Sequence, residues 1–190
     1  LGSRINTPQT RDLIRRLNLA AITVLNNKGG VLPLHPDLKE VAILNVGDGG
    51  KTEPFDREIK KYIPFTRFQL RKDLPEAEQQ KLRDSLAAYR RIIVTVTEQR
   101  LAPYQSFFAR FAPEAPAIYV FYTPAKSMLQ IQRAVSAAEA VVLAHAPHDD
   151  VQERVADILF GKATADGRLS ASVGGLFSAG SGVTITPHTP

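Results

Sequence analysis

Apolar residues fill nearly every position of four short runs: 41–46, 92–96, 117–122 and 140–144. Runs of about four to eight residues, apolar on both faces, are the signature of strands buried in a parallel sheet. Between them the apolar positions recur at helical spacing instead. The segments predicted as helices are 54–63, 75–89, 103–111, 126–138 and 149–160. Leu82, Leu86 and Tyr89 share one face of the second, and Phe107, Phe108 and Phe111 one face of the third. Met128, Ile131, Val135 and Ala138 mark the fourth, and Val151, Val155, Ile158 and Leu159 the fifth. Residues 65–70 read as a weaker strand. Asp149 with Gln152, or Asp150 with Glu153, resembles a capping box at the start of the last helix.

Ahead of this alternation the spacing predicts one long helix. Thr7 caps it and Pro8 suits its first turn. Leu13, Ile14, Leu17, Ala21, Val24 and Leu25 then recur along one face, and Gly29 and Gly30 end it. Residues 31–34 form an extended linker. Strand and helix alternating from 41 to 160 predict an α/β fold: a three-layer αβα sandwich with a mostly parallel, doubly wound sheet. Residues 168–173 read as one more strand, and 174–190 as a Gly/Ser/Thr-rich loop. The expected organisation is an N-terminal helix and linker over 1–38, the sandwich over 39–173 and a docking tail over 174–190, together one domain.

Composition narrows the function. The 190 residues are 44% hydrophobic and 23% charged, which is ordinary for a globular domain. A (β/α)8 barrel needs about 250 residues, so the chain is too short to contain one. The net charge of +5 is spread over doublets such as Arg15-Arg16 and Lys60-Lys61. A nucleic-acid surface gathers its charge into a stripe, so none is expected. There is no cysteine, which removes disulfides and thiolate metal sites. No apolar run reaches about 18 residues, so no membrane span is expected. Cysteine usage leaves the compartment open; a periplasmic or secreted parent is favoured over a cytoplasmic one.

Ligands of open α/β sheets sit beyond the carboxyl ends of the strands, so the chemistry was sought there. The loop from Gly47 to Lys51-Thr52 ends like a phosphate loop, but Asn45 stands where that motif needs its first glycine. Its helix also starts too late. A glycine-rich turn is the better reading. His145 and His148, with Asp149 and Asp150, lack a third converging ligand, and His35 and His188 lie in linker and tail. No metal and no cofactor are expected. Glu98 and Arg100 follow the second strong strand. Glu98 is the one weak catalytic candidate, but glycoside hydrolysis needs two carboxyl groups and no partner presents itself. A solvated loop explains Glu98 better. Glu98, Arg100, His148 and Asp149 are the residues expected near any substrate.

Two stretches resemble a known family. One runs from Leu19 through Asn26-Asn27-Lys28-Gly29-Gly30 and Leu32-Pro33-Leu34 to Val41-Ala42. The other joins Leu159-Phe160-Gly161, Gly167-Arg168-Leu169-Ser170, Phe177, Gly180 and Gly182. In order and spacing they are similar to the carboxy-terminal domain of family 3 glycoside hydrolases, with a flavour closest to the β-N-acetylglucosaminidase-like members. The likeness extends over 8–183; Ser170 stands where the family often has proline.

The resemblance implies an (α/β)6 sandwich that follows a catalytic barrel. It implies that the nucleophile lies on the barrel. In β-glucosidase-type members the acid/base comes from a long insertion after the strand that ends here at Val96; residues 97–102 are too short for one. In N-acetylglucosaminidase-like members a barrel histidine takes that role, and this chain fits that arrangement. The implied function is the non-catalytic domain of a β-glycosidase, inactive alone. Its implied partners are the barrel of the same parent and carbohydrate at their interface. Leu101, Tyr104, Leu176 and Phe177 are the expected docking residues. A free-standing α/β module binding a sugar or nucleotide is the alternative, and an independent hydrolase using Glu98 the third reading.

Overall fold

The computed structural model describes residues 7–47, 51–112 and 115–185. Six strands form one sheet: β1 Thr23–Asn27, β2 Val41–Val46, β3 Thr66–Leu70, β4 Arg91–Val96, β5 Ile118–Phe121 and β6 Ala140–Leu143. Their spatial order is β1-β6-β5-β4-β2-β3. All neighbouring pairs are parallel except β1 with β6. The helices are α1 Pro8–Ala20, α2 Glu53–Lys60, α3 Glu76–Leu86, α4 Gln105–Phe111, α5 Gln132–Ala137 and α6 Asp149–Leu159.

The alternation of Cβ atoms along each strand sorts the core into two layers. On one face Leu44, Val94, Tyr119 and Val141 pack against Leu86 of α3, the phenylalanines of α4 and Val135 of α5. On the other, Ile43, Ile93, Val120 and Val142 pack against Phe55 and Ile59 of α2 and Val155 and Leu159 of α6. The molecule is an αβα sandwich, as the sequence pattern predicts.

Several boundaries differ from the sequence reading, each for a physical reason. The first helix ends at Ala20, and Val24 and Leu25 lie in β1. Ile22-Thr23-Val24 is a β-branched run, which favours a strand once β6 offers its backbone. β1 bulges between Val24 and Asn26. Beyond it Asn27 folds its amide onto the Leu32 backbone, donating to the carbonyl (2.9 Å) and accepting from the N–H (2.8 Å). Residues 126–138 split into a 3-10 segment, Ala125–Ile131, followed by α5. Residues 168–173 form no strand; the chain there makes isolated pairings, Val173 with Phe177 and Ala165 with Ile185.

The expected capping box on α6 is also absent. Asp150 accepts a hydrogen bond from Val151 N (2.9 Å), and Gln152 turns inward. It is buried, accepts from Phe55 N (3.2 Å) and donates to the carbonyls of Lys51 (2.7 Å) and Pro147 (2.8 Å). One side chain thus ties α6 to the loop before α2.

Candidate functional site

The strand order creates a crevice. β2 and β4 are neighbours, yet the helix after β2 packs on one face and the helix after β4 on the other. Loops leaving in opposite directions open a gap at the carboxyl ends, the usual ligand position in such sheets. Here the floor of the gap is closed by polar groups bonded to one another. Buried Asn45 donates to Thr95 Oγ1 (3.0 Å) and accepts from Gln69 Nε2 (2.9 Å). Gln69 also donates to the Gly47 carbonyl. Thr97 Oγ1 donates to the Val46 carbonyl (3.0 Å).

Glu98 lies half-buried over Gly47. A Cβ on that glycine would stand 2.6 Å from Glu98 Cγ and 2.7 Å from Thr97 Oγ1. Only a residue without a side chain lets Glu98 settle there, and the φ of 122° makes the same demand. The loop that carries Glu98 is anchored. The Gln99 carbonyl accepts from Ser127 Oγ (3.1 Å) and Gln130 Nε2 (2.9 Å), and Leu101 N donates to Gln130 Oε1 (2.7 Å). A neighbouring depression of about 460 Å³ is lined by Gly47, Tyr104 and residues 71–75. Among the described residues its one carboxylate is Asp73, and Glu98 does not line it. Among the described residues, the two-carboxylate geometry of glycoside hydrolysis is not assembled in that depression. Asp48, Gly49 and Gly50, at the centre of the glycine-rich loop, and His188 in the tail lie outside the described residues.

The anchoring corrects part of the docking expectation. Leu101 is fully buried and Tyr104 nearly so, both in the core beneath α4. A loop tied down by Gln130 turns its apolar side chains inward, and they offer nothing to a partner. Leu176 and Phe177 are half-buried against the same core. The other substrate-proximal candidates follow two different strands. Arg100 is exposed beside Glu98 after β4, whereas His148 and Asp149 are exposed at the start of α6 after β6, and β5 lies between those strands. Among the described residues no group of three or more His, Asp or Glu could hold a metal ion. No helix among them is long and apolar enough to cross a membrane.

One carboxylate near the crevice is perturbed. Asp56, in the first turn of α2, bonds Arg67 Nε at 2.9 Å. Burial nevertheless raises its pKa, outweighing the guanidinium. Its side chain is only 13% exposed.

Two features escaped the sequence reading. The first is a cleft of about 400 Å³ past the ends of β5 and β6. Lys126, Leu129 and His145 form one side, and Arg168, Ser170 and Ser172 on the returning tail form the other. His145 adopts a left-handed backbone (φ 70°), and its Nε2 lies 3.2 Å from the Ala21 carbonyl. A non-glycine residue held in that region is strained. Glycine at 167 lets the tail close the cleft: a Cβ there would be 2.5 Å from the Ile22 carbonyl oxygen. The second feature is α1. None of its residues is buried, and Leu13, Ile14 and Leu17 are 52%, 47% and 60% exposed. The helix is held by half-buried Leu19 and by the Arg15–Asp150 ion pair at 3.3 Å.

The architecture defines the class: a three-layer αβα sandwich on a mostly parallel six-stranded sheet. No family model matches the chain, and no curated protein matches it. Solved structures do. All of this chain superposes on 21% of a fungal multi-domain GH3 β-N-acetylglucosaminidase with a GCN5-related glucosamine N-acetyltransferase region, at TM-score 0.67 and 14% identity. A β-glucosidase from Listeria innocua matches 90% of this chain with 28% of its own, at TM-score 0.62 and 14% identity. A β-glucoside phosphorylase matches 84% with 31% of its own, at 0.58 and 13%. At these identities the likeness establishes a shared fold. The chain spans about a fifth to a third of the length of the structures it matches.

Proposed function

We propose that this chain is the non-catalytic α/β sandwich domain of a β-glycosidase, of β-N-acetylhexosaminidase or β-glucosidase type, that hydrolyses O-glycosyl bonds. It packs on a catalytic barrel of the same parent and shapes one wall of the substrate cleft. The observation that carries this reading is α1. A 13-residue helix with no buried residue is marginal by itself, and three large aliphatic side chains on its surface call for a cover. Leu176 and Phe177, half-buried on the tail, supply a second contact. The short tethered loop at Glu98 fits a domain that leaves the chemistry to its partner.

The test is turnover of aryl β-N-acetylglucosaminide and aryl β-glucoside. It compares the isolated chain with the parent protein expressed from its full coding sequence. The isolated chain is expected to be inactive and the parent active. Hydrolysis by the isolated chain that disappears in Glu98→Gln would overturn the reading and make Glu98 catalytic. A parent without a barrel would overturn it as well.

A further inference from the structure

We infer that the cleft between the ends of β5 and β6 and the returning tail binds an anionic monosaccharide-sized ligand, a sugar acid or a sugar phosphate. This goes beyond the docking role and does not depend on it, because every residue of the site lies in this chain.

The charge comes first. Among the described residues, those lining the cleft include the cations Lys126 and Arg168 and no Asp or Glu. Lys126 is exposed and has no ion-pair partner among the described residues. Unopposed cations around a concavity raise its potential and favour an anion. Arg168 is already oriented. Its Nη1 donates to the carbonyls of Asp166 (3.0 Å) and Gly167 (2.8 Å), and its Nη2 to Thr184 Oγ1 (2.8 Å). A guanidinium has five N–H donors, so donors remain for a carboxylate or phosphate. His145 donates from Nε2 to the Ala21 carbonyl, which leaves Nδ1 to accept from a ring hydroxyl of the ligand.

Shape and remaining chemistry set the size and kind. About 400 Å³ is at the small end of ligand pockets, which run to ~1,000 Å³. That admits one sugar ring and excludes a dinucleotide. Ser170 offers a free hydroxyl, and Ser172 Oγ accepts from Ala179 N (3.1 Å) while keeping its O–H to donate. These suit ring hydroxyls. Leu129, 40% exposed on the rim, provides an apolar surface for the C–H face of a ring. The walls are also fixed: a Cβ on Gly174 would stand 2.8 Å from Leu129 Cδ2, so tail and rim are in close contact. A preformed site loses little freedom on binding.

The experiment is an amide NMR titration of the full chain with glucuronate, glucose 6-phosphate, glucose and inorganic phosphate. At least one of the two sugar anions should move the amides of 125–129, 145 and 168–174 at millimolar concentration, and glucose should bind about tenfold more weakly. Response to glucuronate alone identifies a carboxylate ligand, and response to glucose 6-phosphate alone a phosphate ligand. Lys126→Glu should weaken binding by about tenfold or more, with the amides of β2 and β4 unmoved as evidence of intact folding. The inference is overturned if neither sugar anion shifts these amides, or if glucose binds equally well. It is overturned too if inorganic phosphate matches glucose 6-phosphate, or if Lys126→Glu binds as tightly as the parent sequence.

Discussion

Replacing Leu13, Ile14 and Leu17 together by glutamine separates a helix that awaits a partner from one that supports its own domain. Glutamine is chosen because its helix propensity is close to that of leucine, so α1 itself is not weakened. Complete burial of a Leu or Ile side chain is worth about 1.5–3 kcal/mol. The three are 52%, 47% and 60% exposed, so roughly half of that remains to be gained at each, about 2–4.5 kcal/mol in total. In the isolated chain this is unrealised, and the triple variant should unfold in urea within about 0.5 kcal/mol of the parent sequence, as surface substitutions do. In a parent protein that carries the proposed barrel, the same change should lower stability by about 2–4 kcal/mol. Loss of more than about 1.5 kcal/mol in the isolated chain would show that these residues already hold the domain together. An unaffected parent protein would place the interface elsewhere.

Gln152→Leu should destabilise the domain by about 2–4 kcal/mol, because it strands the buried Phe55 N–H and two carbonyls; an unchanged urea midpoint would refute the role given to Gln152. Gly47→Ala should cost at least about 1–3 kcal/mol from its φ of 122°. Pairing it with Glu98→Ala should recover part of the loss, since the clash is with Glu98 Cγ; strictly additive effects would deny that contact. Asp56 gives a pH signature. Its folded pKa is raised above the ordinary 3.8 by burial, so the native state holds this proton longer than the unfolded chain. Its contribution is therefore full below 3.8 and is lost as pH rises through the higher folded value. Asp56→Asn should flatten the fall in stability as pH rises above 3.8; equal slopes in denaturation series would count against it.

The sheet was readable because its parallel strands are apolar on both faces, as in Val41–Val46, a pattern that no amphipathic helix shares. The first helix was overdrawn because Val24 and Leu25 also satisfy helical spacing. The β-branched run at 22–24 was the available signal, and the antiparallel partner that decides it lies more than a hundred residues away. Leu101 and Tyr104 looked exposed because they sit in a connection. Their burial depends on Gln130, remote in sequence, whose amide pins that connection. The cationic cleft was invisible for a similar reason. Lys126, His145 and Arg168 belong to three separate segments, and nothing in their spacing announces that they meet.

The returning tail has a consequence for how the sheet is kept from pairing edge to edge with another chain. A sheet that ends in a strand with unpaired backbone groups is a template for another chain. At one margin β3 presents Thr66 and Arg67 to solvent, polar residues that discourage such pairing. At the other, β1 is screened by the tail. Val183 N donates to the Val24 carbonyl at 2.7 Å, and Gly167 lies against the Ile22 carbonyl. The segment that looks like a ragged end thus does the work of a seventh strand without being one. It is held in place by reciprocal backbone bonds between Ala165 and Ile185 (3.1 and 2.8 Å). A chain shortened to end after α6 would keep every regular element, yet bare the outer side of β1 and invite self-association. The smallest well-behaved form of the domain therefore extends to Ile185.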